Sequence, residues 1–210
     1  MKVIAVLNQK GGVGKTTLSI NIARALQQGE FNVVLIDADP QGSARDWNDA
    51  NDAQVLPVMG FDRKSLPMDI KNISGYDFAI VDGAPQTKEL AIAAIKAADI
   101  VLIPVQPSSL DIWATNDLLN LIRERQEMTD GQQPKAAFIV SRQIQNTTVG
   151  NEVRSVLAES GIKVFESGTF QRIAYSSIMT TGKTVFESQD EKAIDEIVKI
   201  TNELGAFINE

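Results

Sequence analysis

Apolar residues in this chain fall into short continuous runs separated by stretches with helical periodicity. Residues 3–7, 33–36, 76–82 and 100–104 are such runs, each bounded by polar residues, glycine or proline. A run of roughly 4–8 apolar residues without alternation predicts a strand covered on both faces, as in a parallel sheet. Between the first two runs, Leu18, Ile22, Ala25 and Leu26 recur at helical spacing within residues 16–28, and Gly29 stands where a helix would end. The same reading predicts a short helix over 44–50, a weak strand over 55–59, helices over 89–98 and 110–127, a strand over 136–140 and a helix over 149–160 closed by Gly161. A short strand at 164–165, a helix over 173–179 and a terminal helix over 190–207 complete the chain; residues 60–75 read only as turn-rich. Strands alternating with helices at this spacing predict an α/β fold, a doubly wound and mostly parallel sheet with helices on both faces and right-handed crossovers.

Three of the predicted strands deliver chemistry to their carboxyl ends, where open parallel sheets bind ligands. After the first comes Asn8-Gln9-Lys10-Gly11-Gly12-Val13-Gly14-Lys15-Thr16-Thr17. It meets the phosphate-binding template G-x-x-x-x-G-K-[ST] at Gly14, Lys15 and Thr16, but Gln9 replaces the first glycine and a second lysine, Lys10, precedes the glycine pair. Backbone amides from Gly11 to Lys15, with the dipole of the following helix, would cradle phosphate oxygens. Lys15 would sit on the β- and γ-phosphates of ATP, and Thr16 would offer its hydroxyl to Mg²⁺. The second strand ends in Asp37-Ala38-Asp39-Pro40-Gln41-Gly42 and the third in Asp82-Gly83-Ala84-Pro85. A carboxylate at the end of an apolar strand, as at Asp82, is the Walker B arrangement that reaches Mg²⁺; Asp37 and Asp39 bring a second pair to the same rim, one for the metal shell and one to orient a water.

Composition narrows the chemistry further. The 210 residues suffice for one sizeable core and predict a single domain. No cysteine and no histidine are present, which excludes disulfides, cysteine nucleophiles and a zinc site of the usual ligands, leaving a hard cation on oxygen. No apolar run reaches the roughly 20 residues that span a bilayer, and the amino-terminal run leads into the glycine loop instead of a cleavage site, so the expected location is cytoplasmic. The net charge of −7 is uneven: residues 130–185 carry six basic and four acidic residues, net +2, whereas 186–210 carry two and seven, net −5. The basic segment makes Arg142, Arg154, Lys163, Arg172 and Lys183 candidates for contacts with DNA phosphates, salt-dependent and without base readout.

Lys10 to Thr17, Asp37 to Gly42 and the Asp82 strand, in this order, resemble the deviant Walker A, Walker A′ and Walker B motifs of the ParA/MinD ATPases. Val105-Gln106-Pro107-Ser108-Ser109-Leu110-Asp111 and Gly182-Lys183-Thr184-Val185 extend the likeness over most of the chain. The resemblance implies a homodimer formed on ATP, with Lys10 reaching the partner's nucleotide, Gly11 where the two loops meet, and Asp39 activating the attacking water. It also implies nucleotide contacts from Gly11, Gly12, Val13, Gly14, Lys15, Thr16, Thr17, Pro107, Arg142 and Phe170, the adenine lying near Ser141-Arg142 and Thr169-Phe170-Gln171. Thr16, Asp37 and Asp82 would share Mg²⁺, and Lys10, Lys15 and Asp39 would be catalytic.

Within that family the chain looks like the small plasmid ParA proteins. Beginning at its phosphate-loop strand, it is expected to leave operator binding to a partner. Its terminal stripe, Ile194, Ile197, Val198, Leu204, Phe207 and Ile208, is backed by an acidic face, which disfavours the membrane targeting of MinD-like proteins. The expected function is that of a partition ATPase: ATP drives dimerisation and further assembly, as a polymer or on nonspecific nucleoid DNA, and a small centromere-binding adaptor stimulates slow hydrolysis to ADP. The alternatives are a positioning ATPase for division, flagellar or chemosensory cargo, and a dethiobiotin-synthetase-like biosynthetic enzyme.

Overall fold

The computed structural model describes residues 1–53, 55–85, 87–131, 133–144 and 149–210, and for 109–110 and 149–151 the backbone alone. Seven strands, β1 (Lys2–Val6), β2 (Val33–Ala38), β3 (Val58–Gly60), β4 (Phe78–Gly83), β5 (Ile100–Val105), β6 (Lys135–Gln143) and β7 (Lys163–Phe170), form one sheet in the order β3-β2-β4-β1-β5-β6-β7. Every pairing is parallel. The connections run to one side of β1 early in the chain and to the other side later, so β1 lies at the switch point where a crevice opens beyond the strand ends.

The unbroken apolar runs are explained by what covers them. Along β1 the residues alternate between two cores: Val3 and Ala5 pack with α3 (Leu66–Lys71), α4 (Lys88–Ala97), α6 (Asn116–Glu127) and α7 (Val149–Ala158). Ile4 and Val6 face the opposite way, onto α1 (Lys15–Gln28), α2 (Ser43–Asp49), α8 (Ile173–Met179) and α9 (Glu191–Asn209). Both faces of a strand must therefore be apolar, and period-2 alternation has no place. Among the described residues no helix is long and apolar enough to cross a membrane.

The predicted elements recur with four differences. The helix predicted over 110–127 is broken into α5 (Ser109–Trp113) and α6. At the break Thr115, buried, turns its hydroxyl onto the Ile112 carbonyl at 2.6 Å, so a side chain takes a helix acceptor. The short strand at 164–165 is the middle of an eight-residue β7, whose register against β6 shifts where Gly168 crosses Val140. A Cβ at Gly168 would lie 2.3 Å from the Val140 carbonyl oxygen, so the chains meet more closely than any side chain permits. The turn-rich passage contains α3, with Pro67 in its first turn. Finally, the buried stripe of α9 includes Ile200 and excludes Val198, which is exposed; Ile197, Leu204 and Phe207 are buried and Ile194 and Ile208 pack at its edge.

Candidate functional site: a phosphate loop and three carboxylates at one rim

The loop between β1 and α1 is held open by its own carbonyls. Asn8, buried, donates from Nδ2 to the Pro104 carbonyl at 2.8 Å and accepts the Lys10 amide at 2.8 Å, which pins the start of the loop to β5. The Gly12 carbonyl accepts from Gln106 Nε2 at 2.8 Å and Arg142 Nη1 at 2.9 Å, and the Val13 carbonyl from Ser141 Oγ at 2.8 Å. With these carbonyls drawn outward, the peptide units present their N–H groups to the other side. Gly12 and Gly14 adopt φ of 77° and 91°, a region that disfavours side chains, while a Cβ on either would meet nothing within 4 Å. Glycine is thus required for backbone shape and leaves open space in front of the loop.

Lys15 is buried and donates to the Lys10 carbonyl at 3.0 Å, folding back over the loop. Burial lowers its pKa, opposed by the nearby Asp82 and Asp39 carboxylates. Thr16 donates from Oγ1 to Asp82 Oδ2 at 2.7 Å, and Ser19, one turn further along α1, donates to Asp82 Oδ1 at 3.2 Å. Ser19 has a sequence signal only in retrospect, standing three residues after Thr16 on the same helix face. Asp82 is enclosed, and its pKa is pushed up to about 7: burial and the neighbouring Asp37 raise it, against the pull of the Thr16 and Ser19 hydroxyls and Lys15. An enclosed carboxylate in this state is suited to binding a cation, which would supply the missing counter-charge. Among the described residues no group of three acidic side chains could hold a metal, so an ion here would draw ligands from phosphate and water as Mg²⁺ does.

The second carboxylate pair is divided in role. Asp37, fully buried and level with Asp82 across the β2–β4 pairing, has both oxygens engaged. Oδ1 accepts the Asp39 amide at 3.0 Å, and Oδ2 accepts the Arg45 amide at 2.9 Å and Arg45 Nε at 3.2 Å. Arg45 extends to the Asp39 carbonyl and to Asp62 Oδ2, at 2.9 and 3.0 Å. Asp37 thus ties strand end to helix start. Asp39 sits on the open side of that brace and lines the cleft; its Oδ1 accepts the Gln41 amide at 2.9 Å.

One cleft of about 910 Å³ collects these parts. Gly11, Gly12, Gly14, Lys15, Thr16, Thr17 and Asp39 line one end and Thr169, Phe170, Ile173 and Tyr175 the other, with Ser141 and Arg142, bonded to the loop carbonyls and to Thr169, between them. Arg142 and Phe170 line the cleft, whereas Pro107 is not among its lining residues and Val13 is buried behind the loop. Lys10 points away from its own cleft into an ion pair with Asp111, a fully buried residue of α5 whose second oxygen has no hydrogen-bond partner among the described residues. Of the DNA candidates, Arg142, Lys163 and Lys183 are exposed. Arg154 donates to Gln143 Oε1 and the Glu166 carbonyl, and Arg172 is inward, held by Glu196 at 2.6 Å and facing Asp190 at 3.8 Å.

The CobQ/CobB/MinD/ParA nucleotide binding domain matches residues 4–185. The chain belongs to that family. Within it, the maintenance of carboxysome distribution protein A of Halothiobacillus neapolitanus is 33% identical over 210 residues, covering 96% of this chain and 95% of that one. The chromosome-partitioning ATPase Soj of Thermus thermophilus is 28% identical over 87% of this chain and 86% of its own. The ATP complex of Cyanothece McdA(D38A) superposes with a TM-score of 0.78 at 18% identity, over 98% of this chain and 96% of that one, which establishes the shared fold. Membership in the ParA/MinD-type group accounts for the order of the three motifs along the chain and for the all-parallel sheet that gathers them.

Proposed function

We propose that this protein is an ATP-switched positioning ATPase that segregates plasmid or chromosomal DNA. The observation that carries the reading is the convergence of Lys15, Thr16 and Asp39 on one cleft, with Asp82 buried directly behind Thr16 and a second lysine, Lys10, aimed out of the cleft. In this reading the phosphate-loop amides and Lys15 hold the phosphates of ATP, and Thr16 and Asp82 hold Mg²⁺. The metal would supply charge neutralisation of the transferring phosphate. Asp39, braced from behind by Asp37 and Arg45, orients the attacking water.

Lys10 completes the switch. In a single chain it is occupied by Asp111; on ATP binding it transfers to the nucleotide of a second copy, so hydrolysis depends on assembly. Exposed Arg142, Lys163 and Lys183 would attract the DNA backbone, and a small adaptor protein would stimulate hydrolysis and reset the cycle. The full-length similarity to a carboxysome-distribution protein favours a second reading, the same engine carrying a protein organelle as cargo.

Sizing with Mg·ATP, a nonhydrolysable analogue and ADP tests the switch. The analogue is expected to give a dimer or larger species, ADP a monomer, and Lys10→Ala a monomer throughout. A wild type that stays monomeric in every nucleotide sinks the proposal. Plasmid-loss rates against the distribution of organelles in a deletion strain separate the two cargoes.

A further inference from the structure

The far wall of the cleft is organised by a residue that does not line it. Glu196, on α9, is buried, and three donors converge on its carboxylate. Oε2 accepts the Phe170 amide at 3.0 Å and the Tyr175 hydroxyl at 2.9 Å, while Oε1 accepts Arg172 Nε at 2.6 Å. Phe170, Arg172 and Tyr175 all line the cleft, and they come from the end of β7, the following turn and α8. A buried carboxylate is costly unless its lone pairs are filled and its charge is matched; here both conditions are met. Tyr175 stays a donor, because burial, reinforced by the Glu196 charge, holds its pKa above the ordinary phenol range. A glutamine of the same shape could not substitute: its amide would turn N–H groups toward at least one of three groups that are themselves donors.

We propose that Glu196 is the positioning residue for the base-side wall of the nucleotide cleft. It presets Phe170, Arg172 and Tyr175 as a rigid surface against the base and so makes the protein discriminate a nucleoside triphosphate from a bare triphosphate. Glu196 acts through these three residues and touches no ligand itself. Preset walls improve binding by removing the ordering cost at the moment of association. The inference rests on the ATPase reading above.

The test compares wild type, Glu196→Gln and Tyr175→Phe in calorimetric titrations with Mg·ATP and with inorganic tripolyphosphate, together with steady-state hydrolysis. Wild type should bind ATP more tightly than tripolyphosphate. Glu196→Gln should lose about tenfold in ATP affinity, with KM rising in parallel and kcat within about twofold, and with tripolyphosphate affinity unchanged. Tyr175→Phe, which removes one of the three donors, should move the same way by a smaller factor and decides the matter if Glu196→Gln does not fold. Unchanged ATP affinity overturns the inference. Equal losses for ATP and tripolyphosphate do so as well, since they would mark a merely structural role. A wild type that binds neither ligand overturns the ATPase reading first, and this inference with it.

Discussion

The two ends of the cleft are built on different principles. At the phosphate end, a short contiguous loop and two strand termini supply the chemistry, with glycines shaping the backbone, Lys15 folded onto the loop and Thr16 bonded to Asp82. At the other end, β7, the turn after it and α8 contribute Phe170, Arg172 and Tyr175, and these are held together by a buried acid from the last helix. The difference teaches that phosphate recognition is local in sequence, because backbone amides and a helix dipole do most of it. The wall formed by Phe170, Arg172 and Tyr175 is a tertiary construction.

Breaking the phosphate end should have the largest effect on activity and little on the fold. Lys15→Ala is expected to reduce ATP hydrolysis by about a hundredfold or more, since phosphoryl transfer depends on charge placed at the transferring group. Its melting temperature should stay close to wild type, because the lysine ammonium is desolvated where it lies. Steady-state hydrolysis and calorimetry read the two quantities, and a large loss of stability would show that Lys15 is structural.

The base end should break the opposite way. Gly168→Ala puts a methyl 2.3 Å from the Val140 carbonyl and 2.8 Å from Gln143 Nε2, and backbone cannot retreat as a side-chain tip can. A loss of about 2–3 kcal/mol is expected, read by urea unfolding, with ATP affinity falling as β7 and the Phe170 turn shift.

Asp82→Asn sharpens the comparison through pH. The folded protein holds a proton on Asp82 up to about pH 7 that the unfolded chain releases near its ordinary pKa of 3.8. The folded state therefore binds more protons in that window, and Asp82 makes stability fall as pH rises from about 4 to about 7. Asparagine removes this slope. The variant should be more stable than wild type at pH 8 without nucleotide, yet gain less from Mg·ATP. Thermal unfolding from pH 5 to 8 checks both signs.

Lys163→Ala is the small-effect control. Its ion pair with Glu210 is exposed on both sides, so stability should change by less than about 0.5 kcal/mol. A measurable drop in DNA retention at low salt would still be informative, since one fewer phosphate contact lowers the salt slope by about one.

How much was legible follows the same division. The strands of β1, β2, β4 and β5 stand out because burial on two faces demands unbroken apolar runs, and Lys15, Thr16, Asp39 and Asp82 stand out because they close those runs. The break at Thr115 was not legible, since hydroxyls bond helix carbonyls elsewhere in this chain without breaking the helix and nothing local marks Thr115. Spacing alone does not divide Asp37 from Asp39, whose separate roles come from the family resemblance; the Arg45 contacts that fasten Asp37 are made by the return of α2. Arg172 counted as surface charge in a basic segment until α9 brought Glu196 and Asp190 against it.

By itself, then, the sequence determined the alternation of elements, the phosphate loop and the carboxylates at the strand ends, because these depend on neighbours within a few residues. The tertiary structure alone decided the pairing of Lys10 with Asp111, the brace on Asp37 and the fastening of Phe170, Arg172 and Tyr175 to Glu196. The first and last join residues distant in the chain, the brace folds α2 back over the end of β2, and hydrogen bonds and ion pairs of these kinds leave no periodicity to read. Their partners are chosen by which helix the sheet's crossovers lay beside them.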